Sequence, residues 1–225
     1  MHLELPNAPL RSLKDFLKHY LMIVLSILTA LGLEAWIEHT NHRHAAEVAS
    51  AQIDTEIRAN LAEVHTALVE DKERATSFAH IRDSLEQDLK ANTPDATIVQ
   101  HILAQTQNSN FNLNLRWPTL RQEAWDVAVA NQSVSWMDDD RMYRYSAAYA
   151  TQRETAGNLA ANLTLVMNGP RMIDAATDLR SGNVQPREFL HVIAQMAVTL
   201  DQATLSLRTL EQKLQSALPE PPHKA

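Results

Sequence analysis

The residues best suited to chemistry gather first at Glu38, His39, His42 and His44. On a helix, Glu34, Glu38 and His42 share one face at i, i+4 and i+8, and His39 neighbours His42 at i+3. Imidazole and carboxylate are legitimate zinc or copper ligands. The spacing is neither the His-Glu-x-x-His of zinc hydrolases nor the Glu-x-x-His of di-iron bundles. The expectation is therefore a polar collar with no bound metal and no cofactor. Asp138-Asp139-Asp140 invites a calcium reading but lacks the loop spacing of an EF-hand. Carboxylates in the first turn of a helix complement its dipole, which accounts for the three without an ion.

A second constellation is aromatic. Phe111, Trp117, Trp125, Trp136, Tyr143, Tyr145 and Tyr149 fall in one short stretch beside Arg116, Arg121, Arg141 and Arg144. Most such rings fill irregular space between short helices. Tyr143 and Tyr145 stand two apart on one helix and cannot both face inward, so part of the set is exposed or lines a cleft. Trp117, Arg121, Trp125, Trp136, Arg141, Tyr145 and Tyr149 are the candidate ligand- or partner-binding residues. No catalytic residue is assigned. The chain carries no Gly-rich phosphate loop, no Gly-x-Ser-x-Gly elbow and no paired carboxylates in a plausible cleft. His65, His80, His101 and His191 share no spacing. The absence of cysteine removes disulfides, thiolate nucleophiles and Cys-ligated zinc.

The elements that must position these groups are helical. Only 4 of 225 residues are Gly, and helix-forming types dominate. No Pro or Gly occurs between Glu34 and Asn92. Ile57, Leu61, Val64, Leu68, Asp71, Ala75, Phe78, Arg82, Leu85 and Leu89 follow alternating four- and three-residue steps, the seam of a coiled coil or an antiparallel bundle. Asp71 and Arg82 interrupt it. Thr93-Pro94 restarts a short helix that fades near Gln107–Asn110, followed by an Asn-rich loop, Asn108–Leu115. Thr119-x-x-Gln122 reads as a capping box for a helix to about Ala130. Ser135-x-x-Asp138 opens the next helix, with a face of Met142, Tyr145, Tyr149, Ala156, Leu159, Leu163 and Val166, stopped by Asn168-Gly169-Pro170. A short helix spans about Arg171–Leu179. The last begins at Pro186 and carries Ile193, Ala197, Leu200, Thr204, Leu207, Leu214 and Leu218. The expected class is all-α: an N-terminal transmembrane helix continuing into a long helix that packs in an antiparallel bundle.

The anchor is the apolar run Tyr20–Leu33, continuing past Glu34 through Ile37. Tyr20–Ile37 spans roughly 27 Å of helix, close to the hydrocarbon thickness of a bilayer. Tyr20 and Trp36 stand at its two margins, and Lys14 and Lys18 can snorkel to head groups. Glu34 reads as an interfacial residue or as a polar contact between transmembrane helices. Arg11, Lys14 and Lys18 precede the run while Arg43 follows it, so the N-terminus is expected in the cytoplasm. Cleavage at Ala30-Leu31-Gly32 is the rival, but the helical pattern continues through that point with no polar region after it. The organisation expected is a cytoplasmic segment 1–19, an anchor 20–37, an extracytoplasmic bundle 38–218 and a disordered tail 219–225. In a Gram-negative cell this is a single-pass inner-membrane protein with a periplasmic domain. Its net charge is −7, all of it beyond residue 37, which argues against nucleic acid as a partner.

An N-terminal anchor, a long helix, Trp117-x7-Trp125-x2-Ala128, a polar turn at Asn131-Gln132-Ser133 where a Gly is expected, and an aromatic-rich helix ending near Tyr149 together resemble a large group of uncharacterised bacterial single-pass membrane proteins. The resemblance implies membrane attachment and a helical extracytoplasmic domain, and brings no activity with it. The leading functional expectation is a non-enzymatic module that forms a homo-oligomer or holds a membrane-protein partner. The alternative is a small-ligand sensor, resembling helical chemoreceptor input bundles, that signals through another protein. A metal-dependent enzyme would rest on the histidine collar alone.

Overall fold

A chain with neither Pro nor Gly for some sixty residues has nothing to stop a helix, and α1 runs unbroken over Leu13–Lys90. The computed structural model describes residues 13–107, 116–167 and 170–219. Its described residues are all-helical, with five further helices: α2 (Asp95–Gln107), α3 (Glu123–Ala130), α4 (Asp139–Met167), α5 (Pro170–Ser181) and α6 (Pro186–Ala217). A 3-10 turn, Ser133–Trp136, joins α3 to α4. Asn108–Leu115 (with Phe111), Asn168-Gly169, the first twelve residues and the last six lie outside the described residues.

α1 ends on Asn92, which takes the left-handed backbone at φ +53°. Asn tolerates that region through its short polar side chain. The Thr93 N–H then reaches back to the Asp88 carbonyl and the Asn92 N–H to that of Leu89, closing the last turn.

Two apolar clusters lie along α1. The nearer joins Ile53, Ile57 and Val64 to Tyr145, Tyr149 and Leu159 of α4 and to Ala203, Leu207 and Leu214 of α6. The farther joins Phe78, Ile81 and Leu85 to Ile98 and Ile102 of α2, to Met172 of α5, and to Phe189, Ile193 and Leu200 of α6. Rising numbers on α1 therefore meet falling numbers on α6, and the two helices pack antiparallel. α4 runs in the direction of α1, since Tyr145 meets Asp54 and Gln152 meets Asn60. The expected seam of α1 is inward: Ile57, Val64, Asp71, Phe78 and Leu85 are buried and the alternating members half-buried.

Three local expectations need correction. Ala156 is exposed, and α4 instead buries Gln152 and Thr155 between its tyrosines and Leu159; Leu163 and Val166 lie outside the described side chains. Thr119–Gln122 is not a capping box but non-helical chain, with α3 starting at Glu123. Ser135 belongs to the 3-10 turn, and α4 is capped by Asp138, whose Oδ1 accepts the Arg141 N–H at 3.2 Å.

Both apolar clusters lie beyond the first quarter of α1. Its apolar window has a mean hydropathy of 1.9 with 0% buried, so it is one helix long and apolar enough to cross a membrane.

Candidate functional site

The non-helical segment 116–122 decides where the aromatic–arginine set lies. It crosses α1 and is fastened there by side chains of α1. The carboxamide of Asn60 grips the Arg121 peptide at both ends: its Nδ2 donates to the Arg121 carbonyl at 2.8 Å, and its Oδ1 accepts the Arg121 N–H at 2.9 Å. Gln152 Nε2 donates to the same carbonyl at 2.7 Å, and its Oε1 accepts from Asn60 Nδ2 at 3.0 Å. At one end of the segment Arg116 Nη1 donates to Glu70 at 2.8 Å. At the other, Glu56 Oε2 accepts the Ala124 N–H at 2.9 Å. A carboxylate 68 positions earlier thus caps α3, which explains why the local capping signal failed.

Two tyrosines complete this polar seam. Tyr149 donates to Glu56 Oε1 at 2.6 Å, and Tyr145 donates to Asp54 Oδ1 at 2.6 Å. Both rings are fully buried. Burial, reinforced by the carboxylate that each hydroxyl faces, pushes both phenols well above the ordinary tyrosine range. They are neutral donors at any physiological pH. Further along α1, burial likewise raises the Asp71 carboxyl, opposed by Arg74 at 3.0 Å.

The sequence-predicted set is therefore divided. Tyr145 and Tyr149 lie in the core, and Trp125 stacks on Tyr149 with ring centroids 5.4 Å apart. Trp117 and Arg121 are exposed on the fastened segment, and Arg141 is half-buried in the first turn of α4. Trp136 is half-exposed at the opposite end of α3, stacked on His42 of the collar at 4.0 Å and 8° between planes. Tyr143 is exposed, as its two-residue offset from Tyr145 requires. In the collar, His42 meets Glu38 at 3.5 Å. Among the described residues no three His, Asp or Glu side chains converge as a metal site would need.

Sequence reasoning missed the outer face of α1. Val48, Gln52, Thr55, Ala59, Ala62, Thr66 and Val69 follow four- and three-residue steps with no charge among them, and all but half-buried Ala59 are exposed. Thr55 and Thr66 spend their hydroxyls on the Ala51 and Ala62 carbonyls at 2.8 and 2.9 Å, which turns their methyl groups outward. Beside Val48–Ala59, α3 raises a wall of Glu123, Ala124 and Val127, making an open groove of about 1010 Å³ with Arg121 and Glu56 at its edge. The Glu123 carboxylate, resting on its own backbone N–H in the first turn of α3, is held below the usual range. The signal for this face was present in the sequence as a second, uncharged 3-4 stripe rotated away from the first. No known protein family, curated protein or solved structure matches this chain.

Proposed function

We propose that the chain is a membrane-anchored, non-enzymatic module that associates laterally with a second copy through the outer face of α1. The N-terminus stays in the cytoplasm, the helical body lies outside the inner membrane, and α1 carries the apolar run directly into the association face. The observation that supports this best is the uncharged stripe from Val48 to Val69, with Val48 and Val69 44% and 48% exposed on a helix otherwise rich in charge. Solvated helix faces are normally charged, and small, β-branched and Ala side chains in 3-4 spacing suit close helix packing. The hydroxyls already satisfied within α1 lower the cost of drying that face.

The cysteine-free chain makes a direct test possible. In native membranes, Val48→Cys or Val69→Cys should give disulfide-linked dimers under mild oxidation. Gln202→Cys, exposed on α6 and off that face, should not. Recovery of monomer alone from both valine variants, at every expression level, would overturn self-association. A second reading, a small-ligand sensor, takes support from the α1–α3 groove with Arg121 and Glu123 at its edge. A solute that raises the melting temperature of wild type, and no longer does so with Val127→Arg, would favour that reading.

A further inference from the structure

The 3-10 turn occupies the end of the helical body nearest the apolar run. Trp136 stacks flat on His42, and His42 follows Ile37 by five residues on the same unbroken helix. At 1.5 Å per residue the indole stands about 7.5 Å beyond the end of the apolar run. The polar layer on each side of a bilayer is roughly 5–7.5 Å deep. Trp136 is 49% exposed, although Met137 beside it is buried. A half-exposed indole at the level of the head groups is in the environment that tryptophan prefers.

The geometry points to the Ser133–Trp136 turn as a foot that seats the helical body on the lipid head-group layer, with Trp136 as the inserted side chain. This rests on α1 crossing the membrane. Charge does not drive the contact: Asp138, Asp139 and Asp140 outnumber Arg141 and Arg144, so the seat favours no anionic lipid. The foot gives the body a second point of attachment beside α1, which limits how far the long helix can lean.

The test uses the full chain in phosphatidylcholine vesicles, with nitroxide quenchers placed on the head group, deep on the acyl chain, or replaced by iodide in the water. The emission lost on Trp136→Phe reports Trp136, and that lost on Trp36→Phe reports the span. The proposal expects the Trp136 component to lose most of its intensity to head-group nitroxide and little to iodide. A Trp136 component quenched by iodide alone, while Trp36 is quenched from the lipid, would overturn the foot and leave the span standing. If neither component responds to lipid-borne quenchers, the span fails and the foot with it. Ser135→Cys carrying an environment-sensitive dye keeps Trp136 in place, and its emission should shift to the blue on reconstitution. An unshifted dye, or quenching that requires anionic lipid, would overturn the aromatic seat.

Discussion

Replacing Asn60 with alanine removes the carboxamide that holds the Arg121 peptide on α1. Asn60 is 0% exposed, so no water stands ready to replace it. The Arg121 carbonyl keeps Gln152 at 2.7 Å, but the Arg121 N–H loses its acceptor at 2.9 Å and Gln152 Oε1 loses its donor at 3.0 Å. A net hydrogen bond contributes about 1 kcal/mol and an orphaned buried donor costs about 1–3 kcal/mol, so Asn60→Ala should destabilise by about 2–4 kcal/mol. For a chain of this size that is a fall of roughly 4–16 °C in melting temperature. The isosteric Asn60→Asp is the sharper test. Its carboxylate can accept the Arg121 N–H but faces the Arg121 carbonyl and Gln152 Oε1 with nothing to donate. If the Gln152 amide turns to supply an N–H, it abandons the carbonyl. Asn60→Asp should therefore be less stable than Asn60→Ala at neutral pH. Protonation restores one donor, so folding raises the pKa of the new carboxyl. Its stability is then regained as pH falls and lost as pH rises, while the alanine variant keeps a constant deficit. Thermal unfolding of the full chain in detergent, followed by helical circular dichroism from acid to neutral pH, reads both effects. Trypsin reads the local one: cleavage after Arg121 should rise about 30-fold or more in either variant, following the opening of segment 116–122. If Asn60→Asp lies within about 1 kcal/mol of wild type at neutral pH, or if cleavage after Arg121 is unchanged, the fastening described here is wrong.

Asp71 occupies a seam position where Leu or Ala is the rule, and burial raises its pKa above 3.8. Its neutral form is the one folding favours, so its contribution is complete below pH 3.8 and is lost as pH rises through the folded value. Denaturant titrations of wild type and Asp71→Asn should show the variant gaining on wild type as pH rises across that window; parallel pH profiles would refute the assignment. Gln132 sits in the left-handed region at φ +63°, at the turn where a Gly was expected. Gln132→Gly should stabilise the chain by about 1 kcal/mol, and a loss of melting temperature would show that the Gln side chain does something the backbone account omits.

The long elements were legible because their signals are local or periodic. An unbroken run without Pro or Gly gives α1, and 3-4 spacing gives the inner faces of α1 and α6. Pro186 marks the start of α6, and Gly182 (φ +75°) follows the end of α5. What could not be read was decided by partners distant in sequence. Thr119-x-x-Gln122 has the form of a capping box, yet Asn60 fastens the segment outside any helix and Glu56 caps α3 from 68 positions away. Ala156 has the right character for the core, but the α4 stripe turns one position so that Gln152 can reach Asn60. The aromatic set was recognised as a group, and its division into buried Tyr145 and Tyr149, stacked Trp125 and half-exposed Trp136 follows from contacts 93 or more positions apart in two of the cases, Tyr149 with Glu56 and Trp136 with His42. The outer stripe of α1 was overlooked because a helix with one good apolar seam does not ordinarily carry a second.

The polar residues on the inner side of α1 have a common cause. Between Ser50 and Asn60 a purely apolar seam would suffice if α4 lay directly against α1, as α6 does. Segment 116–124 passes between them instead, and a non-helical backbone brings peptide groups that must be satisfied where water is excluded. Glu56 answers the first free N–H of α3, Asn60 answers both ends of the Arg121 peptide, and Gln152 answers the Arg121 carbonyl a second time. The carboxylate so introduced then requires its own partner, which Tyr149 supplies at 2.6 Å from a ring large enough to fill the gap the segment leaves. Removing any one member strands the next, so the polarity of this stretch is explained by the path of the backbone alone. No crossing backbone makes such a demand on the outer face of α1, and the uncharged stripe there stands unexplained by folding. A surface feature that the fold does not require is where an interaction is to be sought.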